Sequence, residues 1–81
     1  MKVAVKLFAV ARQRQGSSSI EIELPAAATA GQLRSALAEQ FPGLKDILAH
    51  CRIAVANEYA PDGVPIPAAA EIALIPPVSG G

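Results

Sequence analysis

The sequence predicts an α+β domain: a small mixed sheet with one main helix packed on one of its faces. Three observations predict it. Four segments, 2–9, 20–24, 52–57 and 71–75, carry the period-two or continuous apolar patterns of strands. A single long segment, starting at Thr29, carries a helix start signal and a helical apolar stripe. With 81 residues there is room for one thin core, so that helix must act as the lid of the sheet.

The first strand, Lys2 to Ala9, alternates Val3, Val5 and Leu7 on one face with Lys2, Ala4, Lys6 and Phe8 on the other. Phe8 is the exception, an aromatic on the lysine-bearing face. Two readings stand beside each other for it: a hydrophobe covered by a nearby loop, or a partner contact. Ala11-Arg12-Gln13-Arg14-Gln15 reads as a polar, helix-tolerant turn closed by Gly16 and three serines. Ile20-Glu21-Ile22-Glu23-Leu24 alternates cleanly until Pro25 stops it, and it is expected to pair antiparallel with the first strand.

Thr29-Ala30-Gly31-Gln32 fits a capping box, with a Thr hydroxyl at the N-cap and Gln three residues on. Leu33, Ala36, Leu37 and Phe41 then share a stripe, and Phe41-Pro42-Gly43 ends the helix. Residues 44–50 add a turn or two of helix with Leu44, Ile47 and Leu48 inward. The third strand, Arg52 to Asn57, is apolar on both faces and is expected to be central. Glu58 to Ala70 reads as loop, because Pro61-Asp62-Gly63 marks a turn and Pro65 and Pro67 break any ladder. Glu71 to Ile75 is the last strand, also apolar enough for a central place. The other face of the sheet has no helix left to cover it and must meet water or a partner.

Composition narrows the function. Apolar residues make up 52% of the chain and aromatics 4%, so the core is aliphatic and disorder is excluded. Seven basic and seven acidic residues cancel. The bases are scattered without interleaved aromatics, which argues against a nucleic-acid surface. No apolar stretch approaches the roughly 18 residues of a membrane span. Met1-Lys2 and Ala9-Val10-Ala11 have a passing likeness to a signal peptide, but Lys6 interrupts the apolar region. The one cysteine, Cys51, has no internal partner and fits a reducing compartment; the expected location is the cytoplasm.

Residues with chemistry are few. One His and one Cys do not make a metal site. His50 and Cys51 are adjacent in sequence, and Cys51 is expected to be a small core or boundary residue. Arg12 and Arg14 offer a possible phosphate clamp, with an exposed polar turn as the simpler account. Glu21 and Glu23 share a strand face and read as solvated. There is no phosphate-binding glycine loop and no nucleophile elbow.

What remains is the end of the chain, Pro76-Pro77-Val78-Ser79-Gly80-Gly81. Two prolines stop the preceding strand and launch the chain outward. Gly80 and Gly81 have no side chains and can enter a channel too narrow for other residues. Six extended residues reach about 20 Å. The expected division is therefore a domain over 1–75 and a flexible Gly-Gly tail over 76–81. A plain frayed terminus is the alternative. A carboxylate on an unbranched end can be adenylated in another protein's pocket, and a sulfur nucleophile can then displace AMP to leave a thiocarboxylate.

The chain resembles the small subunits of molybdopterin synthase, sulfur carriers with the ubiquitin-like β-grasp fold. The resemblance runs over essentially the whole chain. It rests on Leu7-Phe8-Ala9, Arg12 and Gly16, on Thr29, Leu33-Arg34 and Leu37, and on Val55 and Asn57. Glu71-Ile72-Ala73 and the specific Pro-Pro-Val-Ser-Gly-Gly end complete it. It implies a mechanism in which a ubiquitin-activating-like adenylyltransferase uses ATP to adenylate Gly81. A sulfur donor then makes the thiocarboxylate, and the tail enters the large subunit of a heterotetramer to sulfurate a pyranopterin precursor. The resemblance implies that this chain binds no cofactor and that the catalytic side chains belong to the large subunit. Phe8 and Ile75 match apolar partner-contact positions of the family. Carriers for thiazole synthesis or tRNA thiolation, or a ubiquitin-like protein modifier, are the alternatives. The chain departs from the family at Ala68-Ala69-Ala70, where a Gly-Asp turn is common, and at Ile75, which is often aromatic.

Overall fold

A computed structural model describes residues 1–77; Val78 to Gly81 lie outside the described residues. Its elements are β1 (Lys2–Leu7), α1 (Ala9–Gln15), β2 (Ser19–Glu23), α2 (Ala30–Gln40), a 3₁₀ turn (Pro42–Leu44), α3 (Lys45–Leu48), β3 (Arg52–Val55), β4 (Glu58–Tyr59) and β5 (Ile72–Ile75). The strands form one mixed sheet in the order β2-β1-β5-β3-β4. β1 pairs antiparallel with β2 and parallel with β5, while β3 pairs antiparallel with β5 and β4. The architecture is α+β, as the apolar patterns predict.

One face of the sheet carries the core. Val3, Val5 and Leu7 alternate with exposed residues along β1, and they join Ile22, Ile53, Ile72 and Leu74 in a single cluster with Leu33 and Leu37 of α2. Leu44, Leu48 and Cys51 extend that cluster. The register places Ala4, Lys6, Ala73, Ala54 and Tyr59 on the opposite face, together with Ile75 and Arg52.

The capping box at Thr29 forms: the Thr29 hydroxyl accepts from the Gln32 amide, and the Gln32 side chain accepts from the Thr29 amide. The first turn of α2 leaves further N–H groups without helical partners. The long segment before β5 supplies them. The Ala30 amide donates to the Val64 carbonyl at 2.8 Å and the Gly31 amide to the Asp62 carbonyl at 2.9 Å. A Cβ on Gly31 would sit 3.2 Å from that same oxygen, so the close approach needs glycine. Ile66, buried in the core, anchors the segment from within.

Several elements differ from the sequence expectation. β1 stops at Leu7, because Ala9, at φ +51°, turns the chain into α1. The supposed polar turn 11–15 is thus helical. Seven residues are too few for an isolated helix; α1 is held by fully buried Ala11, by Gly16 in the left-handed conformation, and by Arg14, which pairs with Asp46. β3 ends at Val55 and β4 follows at once, since Ala56 and Asn57 both take positive φ and close a two-residue hairpin. Ala-Asn is a weak signal beside Asn-Gly, so the hairpin is hidden in what reads as continuous strand and loop. The centre of the sheet is β5, and β3 lies between it and β4.

The Ala68-Ala69-Ala70 turn forms without glycine. Ala69 takes φ +63°, a conformation that costs a residue with a Cβ about 1–2 kcal/mol. Ala69→Gly is therefore expected to stabilise the fold by about 0.5–1 kcal/mol despite the greater freedom it gives the unfolded chain. Ala38→Gly, inside α2, is expected to destabilise it by about 1 kcal/mol. Urea unfolding of the two variants checks the opposite signs.

Lys6 Nζ and Glu71 Oε1 lie 2.6 Å apart on the exposed face, strapping β1 to the entry of β5. The hydrogen bond from Lys6, and then its charge, hold the Glu71 carboxyl below the usual carboxylate range. A carboxyl held low in the folded state favours folding above its unfolded pKa, and that contribution is lost as pH falls through the folded value. Lys6→Met is expected to raise the Glu71 pKa, read by NMR titration of its side-chain carboxyl. The stability difference from wild type is expected to vanish once both carboxyls are protonated.

Candidate functional site

The site is the end of the sheet from which the tail departs. In the parallel β1–β5 pair, Leu7 stands beside Leu74. One step further along both chains come Phe8 and Ile75, brought side by side by the register. Phe8 is the N-cap of α1, with extended backbone angles and a side chain 47% exposed. Its exposure follows from the alternation of β1, which puts it on the same open face as Ala4 and Lys6, away from the core. Ile75 is half-buried and pairs on its other side with Arg52 of β3.

Pro76 follows, buried, and Pro77, exposed. Neither has an N–H to extend the ladder, so β5 stops at Ile75. The sequence-predicted tail residues Val78, Ser79, Gly80 and Gly81 lie outside the described residues. Of the predicted site residues, the structure thus brings together Phe8, Ile75, Pro76 and Pro77.

Three residues were missed by sequence reasoning. A cleft of about 430 Å³ beside the root of the tail is lined by His50, Arg52, Tyr59, Ile75, Pro76 and Pro77. The Arg52 guanidinium lies over the Tyr59 ring, 4.9 Å from its centroid, a contact worth about 0.5–1 kcal/mol at an exposed site. Tyr59 is 60% exposed. The Ala56-Asn57 hairpin, whose signal is weak, is what carries Tyr59 back beside Ala54 and within reach of Arg52.

The remaining chemistry-bearing residues do not converge. Cys51 is buried and its thiol is pushed up by that burial, with Arg34 opposing to a lesser degree, so it is a poor nucleophile. His50 beside it is exposed. Arg14 is committed to Asp46 and to the Gly43 carbonyl, which removes it from any phosphate clamp with Arg12. Among the described residues no group of His, Cys, Asp or Glu is placed to hold a metal. No described helix is long and apolar enough to cross a membrane.

Comparison with known proteins agrees with this geometry. Residues 5–81 match the model of the ThiS family. A molybdopterin synthase sulfur carrier subunit of Arabidopsis thaliana is 31% identical over 81 residues, spanning 100% of this chain and 84% of that protein. The crystal structure of SAMP1 from Haloferax volcanii superposes with a TM-score of 0.85 at 30% identity, covering 100% of both chains. In a protein–protein complex of subunits 1 and 2 of the molybdopterin-converting factor of Helicobacter pylori, the matching chain has a TM-score of 0.71 at 28% identity, again covering 100% of both. The fold is the ubiquitin-like β-grasp, and the chain belongs to the ThiS family, where molybdopterin synthase sulfur carrier subunits are its relatives.

Proposed function

We propose that this chain is the sulfur carrier subunit of a molybdopterin synthase and that its working group is the Gly81 carboxylate. The observation that carries the reading is the route of the chain: β5, paired on both sides, runs straight into Pro76-Pro77, where the ladder stops. The family membership and the glycine end support the same reading. A ubiquitin-activating-like adenylyltransferase joins the Gly81 carboxylate to the α-phosphorus of ATP, and pyrophosphate leaves. Hydrosulfide attacks the acyl carbon, loses its proton and AMP leaves, giving a thiocarboxylate. This sulfur is soft and nucleophilic, suited to attack an electrophilic carbon of a pyranopterin precursor.

The large subunit is the partner that receives the tail, and Phe8 and Ile75 form the apolar contact at its entrance. Support for a two-subunit arrangement comes from the Helicobacter pylori complex, whose two chains are subunits 1 and 2 of one factor. The synthase would supply the catalytic side chains, as the lack of convergent ones here requires. The site of action is the cytoplasm, in keeping with the unpaired Cys51.

A second reading is favoured by the SAMP1 likeness, since related structures are titled small archaeal modifier proteins. In that reading Gly81 is joined to amines of other proteins. The two readings share adenylation and differ in the acceptor.

Incubation with a cognate adenylyltransferase, ATP and sulfide is expected to give an oxygen-to-sulfur mass increase confined to the C-terminal peptide. Its persistent absence, with pyrophosphate released, would count against the carrier role; recovery of Gly81 in isopeptide linkage to many proteins would favour the modifier. Deletion of Gly81 is expected to abolish sulfur transfer and to leave the thermal unfolding transition unmoved. A lost transition would mean that the tail is part of the fold.

A further inference from the structure

Two cations on the open face of the sheet, Lys2 and Arg52, have no carboxylate partner among the described residues, and of the two it is Arg52 that stands at the end where β5 finishes. Lys6 is paired with Glu71, Arg14 with Asp46 and Arg34 with Asp62. Arg52 has no carboxylate within 4.0 Å among the described residues. Its guanidinium instead lies over an exposed tyrosine ring, a contact that still leaves a planar fork of N–H donors able to meet a carboxylate. The position is not arbitrary. Arg52 pairs across the sheet with Ile75, the last residue before Pro76-Pro77, so a cation stands at the point where the tail leaves. Exposed His50 lies in the same cleft.

Apolar surface runs alongside. Tyr59 and Phe8, two of the large hydrophobics left exposed, flank the tail's root on the β4 side and the β1 side. A partner that grips the root must therefore cover Arg52 as well. Covering a guanidinium with an apolar surface would strip its hydration without compensation, whereas a carboxylate accepts two parallel N–H bonds from it.

We propose that this cleft docks an acidic segment of the synthase large subunit, with a carboxylate on Arg52 and an apolar side chain against Tyr59 and Pro77. The proposal rests on the sulfur-carrier reading and adds a specificity determinant to it. Arg52 is a contact residue for the partner and has no part in the chemistry at Gly81. Attraction between a fixed cation and an acidic segment speeds and orients encounter, and it weakens as salt screens it.

The test is titration of the full chain against its cognate large subunit at low and high salt, for wild type, Arg52→Lys and Arg52→Glu. Wild type is expected to bind more weakly as salt rises, and Arg52→Lys to keep most of that dependence. Arg52→Glu is expected to weaken binding at low salt by about tenfold or more and to lose the dependence. Reversal of an acidic residue on the large subunit to lysine is expected to restore binding of Arg52→Glu. Circular dichroism guards against a folding defect; if Arg52→Glu does not fold, Arg52→Gln, which removes the charge without adding one, takes its place. Equal affinities for wild type and the charge-altered variant would overturn the docking proposal alone. No binding by wild type, which keeps Arg52, would overturn the carrier reading and the docking proposal together.

Discussion

The parallel pairing of β1 with β5 is the constraint on which the rest of the structure depends. Parallel neighbours cannot be joined by a tight turn. Everything between Leu7 and Ile72 is therefore one long excursion, which adds β2, β3 and β4 to the flanks of the sheet before the chain returns to its centre. The same pairing makes both strands finish at the same end. Phe8 and Ile75 become neighbours for that reason alone, although 66 positions separate them in the chain. An antiparallel arrangement of the same strands would put the start of β1 beside the tail and send Phe8 to the far end. The apolar contact at the tail's root is thus a product of topology.

The return from the excursion is secured at the helix. The proline-bearing segment before β5 cannot build a ladder of its own, yet its carbonyls at Asp62 and Val64 satisfy amides of the first turn of α2. The Thr29 hydroxyl satisfies another. Burial of Ile66 keeps the segment against the core. Start of helix and approach to β5 are therefore one joint. Arg34 strengthens it from the helix side, pairing with Asp62 and donating to the Leu48 and Cys51 carbonyls. That explains why a chain with so thin a core tolerates an irregular stretch as long as residues 60–71.

The sequence shows strongly what alternation or capping controls. The alternation of Val3, Val5 and Leu7, the Ile20-Ile22 pattern, the capping box at Thr29 and the stripe of Leu33 and Leu37 all appear where the structure has them. What it conceals is structure made by backbone conformations that its residues do not advertise. Ala9, Ala27, Ala56 and Ala69 all take positive φ, where glycine or asparagine would have been the visible signal. Two of these have consequences at the site: Ala9 cuts β1 short just after Phe8, and Ala56 turns β3 back into β4. Phe8 and Ile75 were legible only through the family resemblance, since nothing local in the sequence says that two such distant residues meet. Arg52 and Tyr59 were not legible at all, because their meeting depends on the hidden hairpin.

A sulfur carrier must also acquire specificity for its partners. A glycine tail is chemically generic: any pocket that admits an unbranched carboxylate will admit it. Discrimination must come from surface that the tail does not supply, and from surface close enough to the root to be read while the tail is inserted. The fold places that surface on two strands flanking β5. β1 leads to Phe8, exposed on the open face, and β3 with β4 carries the Arg52–Tyr59 pair. An apolar contact such as Phe8 discriminates weakly among partners, because one hydrophobic surface is much like another. A fixed cation discriminates by cost, since a partner lacking a carboxylate there must bury an uncompensated charge. On the proposed reading the labour divides by chemistry: the tail delivers the sulfur, the apolar root holds it in place, and the cation beside the root selects the partner that receives it.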